Sequence, residues 1–93
     1  MRILKKKSKK AIARIRTLKE SLNILRSIKP VKSSDQWVHF VKIESNLTNL
    51  LDEQCKIYLG NKYINYEDKW LEDEKNVCWN FGDYCLDNNI INI

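Results

Sequence analysis

Ninety-three residues suffice for one domain and are too few for two, because a chain this short buries only a modest share of its surface. An apolar fraction of 43% with three Trp, four Tyr and two Phe excludes global disorder, and no run of about eighteen apolar residues is present to span a bilayer. The net charge of +5 conceals a segregation: residues 1–32 carry twelve Lys or Arg against the single acid Glu20, while residues 33–93 carry five Lys against eleven acids. Such asymmetry implies either an anionic partner for the N-terminal part or neutralisation of one half of the chain by the other.

Met1 to Leu4 run straight into Lys5, Lys6, Lys7, Lys9 and Lys10, with no apolar stretch of the length an export signal needs, so residues 1–8 are expected to form a flexible basic arm. From Ser8 to Lys29, Ala11, Ile15, Leu18, Leu22 and Leu25 recur at spacings of four and three, the period of an amphipathic helix, and Ile12 and Ile28 widen that stripe. Pro30 ends it, since proline cannot continue a helix and disfavours helical geometry at the residue before it.

Ser34 or Asp35 suits the N-cap of a second helix over 35–59. Phe40, Ile43, Leu47, Leu50, Leu51, Ile57 and Tyr58 share one face, flanked by Trp37, Val41 and Cys55, a stripe wide enough for two neighbours. Gln54 lies inside it as a satisfied buried amide, and Lys42, Ser45, Asp52, Glu53 and Lys56 fall on the solvent side. Gly60 suits the left-handed residue that closes a helix. The competing reading, a hairpin over 56–64 turning at Gly60-Asn61, is disfavoured because a lone short hairpin is marginal.

A third helix is expected over 66–87, capped by Asn65 and ended by Asn88-Asn89. Trp70, Val77, Phe81 and Tyr84 form its inner face, with Cys78 and Cys85 at the border, and Glu74 on that side calls for a basic partner. Ile90 to Ile93 are a short tail. The fold class is thus all-α: a small antiparallel three-helix bundle with a basic N-terminal arm and a C-terminal tail, one domain over 1–93.

Catalysis is not indicated, because His39 is the only histidine and has no constellation around it, and two glycines cannot build a phosphate loop. No metal or cofactor is expected either. Cys78 and Cys85 are about two helical turns apart, too far to chelate one ion, and an odd set of three cysteines suits reduced thiols in the cytoplasm.

Two functions remain. The first is a protein-binding regulator or inhibitor, with a nucleic-acid-processing enzyme as one candidate target, whose acidic and aromatic third helix presents Glu72, Asp73, Trp79, Asp83, Leu86 and Asp87. Trp79 projects away from Trp70 and Phe81 and is expected to contact the partner. The second is a nucleic-acid accessory protein that uses Lys5, Lys6, Lys7, Lys9, Lys10, Arg14 and Arg16 against phosphate, without base-reading aromatics among residues 1–36.

Overall fold

Two long helices joined by the Pro30 connector set the architecture. The computed structural model describes residues 2–73 and 80–92, with side chains described from Lys9 onward. Helix α1 (Arg2–Ser27) ends in a turn bond from the Ile28 N–H to the Leu25 carbonyl, two residues short of the expected end. Helix α2 (Asp35–Leu59) runs back along it, and this pairing is the most extensive in the molecule. Ser34 is the N-cap, but its hydroxyl bonds the Val31 carbonyl at 2.7 Å and leaves the α2 amides uncapped by side chain.

Gly60 closes α2 at φ +60° and leads through a 3-10 turn at 60–62 into α3 (Tyr63–Glu72); α4 (Phe81–Asp87) follows. No strand occurs among the described residues, so the 56–64 hairpin is absent.

Three expectations about element bounds are corrected. The basic segment is helical from Arg2, so the arm is the first two turns of α1, consistent with a lysine run that carries no helix breaker. The third helix begins at Tyr63, leaving Asn65 inside it. It is also two helices, because α3 stops where Asp73 turns extended at φ −78° and ψ 97°, and α4 starts after the extended Asn80. Packing supplies the reason. Trp70 and Phe81, which a straight helix would hold about 16 Å apart along its axis, meet with ring centroids 5.9 Å apart. Val77, Cys78 and Glu74 lie outside the described residues.

The core gathers Ile15 and Leu22 from α1, Leu51 and Cys55 from α2, Phe81 and Cys85 from α4, and Ile91 from the tail. Helix α4 approaches α2 closely: a Cβ on Gly82 would lie 2.6 Å from the Leu51 side chain. The chain then reverses at Asn89 (φ 56°), where the Ile90 N–H bonds the Cys85 carbonyl at 2.9 Å and the Asn89 N–H bonds that of Leu86 at 3.3 Å. That pair of bonds is a Schellman closure, and it turns Ile91 into the core.

This core is small for the chain. The radius of gyration is 14.5 Å, against about 12 Å for a compact chain of this length. The accessible surface is 7280 Å², against roughly 5,700 Å² for a compact monomer of this mass. Extents of 49 × 30 × 17 Å describe a flat body.

The two glycines separate steric crowding from backbone strain. Gly82→Ala should cost about 1–3 kcal/mol, since Leu51 must move within a packed seam. Gly60→Ala meets nothing within 4 Å and should cost about 1–3 kcal/mol through its backbone alone, because φ +60° with ψ −131° is a conformation that a residue with a Cβ rarely adopts. Urea denaturation of both variants checks this, and a neutral Gly82→Ala would disprove the close approach.

Candidate protein-binding face and basic helix

Two residues of the expected acidic and aromatic patch, Asp83 and Leu86, make contacts within the fold. Asp83 accepts a bidentate pair from Arg26, with Nη2 at 3.0 Å and Nη1 at 3.3 Å, and Arg26 Nε also bonds Glu44 at 3.0 Å. The Asp83 hydrogen bond is the main reason that the Arg26 pKa lies above its ordinary value. Asp83 therefore ties α4 to α1. Leu86 is half-buried and packs against the core, because the break before α4 rotates it relative to a continuous helix. Asp73 and Asp87 are exposed and engaged in interactions of their own, Glu72 is exposed, and Trp79 lies outside the described residues.

Asp52, expected on the solvent side, is half-buried and accepts the Gly82 N–H at 2.7 Å. Burial raises its pKa, only partly countered by that hydrogen bond. Beside it Cys55 and Cys85 are free, fully buried and hydrogen-bonded to each other; that bond and the burial push the Cys55 thiol far up, leaving it a poor nucleophile. His39 is exposed, and no group of His, Cys, Asp or Glu that could hold a metal occurs among the described residues.

Lys9, Lys10, Arg14 and Arg16 are exposed on α1 and make no ion pair with a described residue. The described ion pairs join Arg26 to Glu44 and Asp83, and Lys56 to Glu67, so among the described residues internal neutralisation of α1 occurs at its C-terminal end. Lys5, Lys6 and Lys7 lie on the same helix, ahead of the first described side chain.

A second cluster gathers at the start of α2. Trp37 stacks on Phe40 at 5.3 Å, and the ammonium groups of Lys29 and Lys32 sit 5.7 and 6.0 Å from its ring centroid. The connector brings these lysines back over the first turn of α2, a juxtaposition helical periodicity does not encode.

The largest departure concerns the wide stripe of α2. Only one edge is covered: Ile43, Leu50 and Ile57, expected in the core, are 48%, 48% and 47% exposed. Just beyond α1, Ile28 is likewise exposed. Between the two helices lies an apolar groove of about 500 Å³ lined by Ala13, Arg14, Thr17, Leu18, Leu50 and Gln54. Leu50 lies about 200° around the helix from Asp52 at 100° per residue, so this groove opens away from α4. Gln54 is not satisfied as expected; its buried amide oxygen has no hydrogen-bond partner among the described residues.

No family model matches the chain, and no curated protein or solved structure is significantly similar to it. No described helix is long and apolar enough to cross a membrane.

Asp52 gives a pH test. Its folded pKa exceeds the unfolded value, so the folded state binds the extra proton and this group's contribution to stability falls as pH rises through that window, then stays constant. Asp52→Asn keeps an acceptor for Gly82 without the buried charge. It should match or exceed the native chain in stability at pH 7, with the gap closing as pH drops through the carboxylate range. Asp52→Ala strands the Gly82 N–H and should cost about 1–3 kcal/mol. Equal urea midpoints for all three proteins at every pH would remove Asp52 from the α2–α4 contact.

Proposed function

We propose that this chain is a non-enzymatic protein-binding regulator or inhibitor that receives a helix of its partner in the α1–α2 groove. The observation that carries the reading is the uncovered edge of α2, where Ile43, Leu50 and Ile57 recur every seven residues on the side away from α4. Large apolar residues in register on a helix pair are the helix-in-groove mode of recognition. Leu50 lines the groove, with Ile43 and Ile57 about two turns to either side of it on the same edge, and exposed apolar residues grouped beside a groove mark an interaction site. The docking surface thus moves from the C-terminal patch to the hairpin. Cys55 and Cys85, free and in contact, suit a reducing, cytoplasmic setting.

Placing a photo-crosslinking amino acid at Thr17, in the groove wall, tests this in the native host. The expected adduct is protein, resistant to nuclease, and lost when Leu50→Asp is added. A nuclease-sensitive adduct, or none, would defeat the reading.

The second reading, nucleic-acid binding through α1, draws on the exposed Lys9, Lys10, Arg14 and Arg16, which make no ion pair with a described residue. Contacts of this kind are ionic and sequence-independent. Reversing Lys9, Lys10, Arg14 and Arg16 to Glu should abolish weak low-salt binding to a labelled oligonucleotide, and native binding should vanish by about 0.2 M salt. Salt-resistant, sequence-selective binding would place this reading ahead of the first.

A further inference from the structure

Resting on the groove as the docking site, we infer the chemistry of the partner: an amphipathic helix of about four turns whose flank facing α1 is acidic. Its length follows from the stripe. Ile43 and Ile57 are fourteen residues apart on α2, an axial span of about 21 Å, which a helix of about fifteen residues matches.

Its charge follows from the two rims. On the α1 side stands Arg14, with Lys10 one turn before it, both exposed and without an ion pair to a described residue. On the α2 side the surface continues through Asn46, Asn49 and Glu53. The rims are therefore unlike beside the groove: α1 is cationic there at Lys10 and Arg14, with the acid Glu20 further along, and the α2 side is neutral to acidic. A helix laid between them gains from carboxylates only on its α1 side, and a basic flank there would meet like charge. Nucleic acid would use the cations but leave the apolar floor of Leu18 and Leu50 without a complement, which favours an acidic protein helix over a phosphate backbone.

Gln54 adds an independent mark. Gln54 lines the groove while its amide oxygen is buried beneath that surface with no hydrogen bond to a described residue, and a polar group in an apolar helix seam fixes register when the incoming helix supplies its complement. A Ser, Asn or Gln opposite Gln54 would provide a donor, after rotation of the amide toward the groove.

A second copy of this chain fits less well. Its α1 is itself cationic along Lys9 to Arg16, and its more acidic elements, α3 and α4, already pack on the other side of the hairpin.

Three synthetic eighteen-residue amphipathic peptides with one Leu and Ala face provide the test, their flanks filled with Glu, Gln or Lys. Fluorescence anisotropy against the full chain should show the Glu peptide binding at least tenfold more tightly than the Gln peptide and the Lys peptide most weakly. Lys10→Glu with Arg14→Glu should reverse that order, a readout that general unfolding cannot mimic, and Leu50→Asp should lose all three peptides while the circular dichroism melt is retained. Equal binding of the three peptides overturns the acidic assignment and leaves the groove reading standing. Binding of none overturns both. A Leu50-dependent dimer in sedimentation shows that a second copy is the occupant and overturns the inference as well.

Discussion

The contact on which the rest depends is the seating of α4 against the middle of α2. At Gly82 the absent side chain lets the two helices come within reach of each other, the Asp52 carboxylate takes the Gly82 N–H, and one turn further Cys85 meets Cys55. Trp70 and the tail residue Ile91 close around Phe81 and Cys85. The described chain beyond the hairpin is therefore committed to one side of it. A seven-residue helix cannot also reach the opposite edge, so α2 retains a row of partly exposed apolar residues.

The same economy governs the charges. Arg26 lies at the end of α1 that meets both α2 and α4, where it satisfies Glu44 and Asp83 together. A pair this exposed adds little to stability, so the seating of α4 rests on its packing against α2 rather than on Arg26. Further toward the N-terminus of α1 no described acid pairs with the cations from Lys9 to Arg16. The charge asymmetry of the sequence thus persists in the fold, alongside an apolar groove, and the two features together define the surface to which a partner is assigned.

Periodicity was a faithful guide wherever one helix face met one neighbour. Ala11, Ile15 and Leu22 are buried as their spacing implies, Phe40 and Leu51 likewise, and Phe81 and Tyr84 face inward. Asn88-Asn89 end the last helix because asparagine tolerates the left-handed turn that Asn89 adopts. Candidate-site residues fared differently. Asp83 pairs with a residue more than fifty positions away in the chain, Leu86 packs on the core, and no local pattern reports such pairing. The Trp37 cluster depends on a connector whose path helical spacing does not specify.

Residue order alone specifies that the chain is helical, where the second long helix lies, that the first ends ahead of Pro30, and that cationic charge gathers in the first; the start of that first helix was not legible. Those properties derive from local backbone preference and from residue order alone. Tertiary structure decided which edge of α2 is covered, that the third helix is divided, and that Asp83 is an internal tie while Leu50 is a surface residue. The physical reason is that a helical stripe records only which side chains avoid water. Whether a given edge of that stripe meets another part of the same chain depends on the length and path of the segments beyond the helix. Here the described segments beyond the hairpin cover only one edge of α2, leaving Ile43, Leu50 and Ile57 partly exposed.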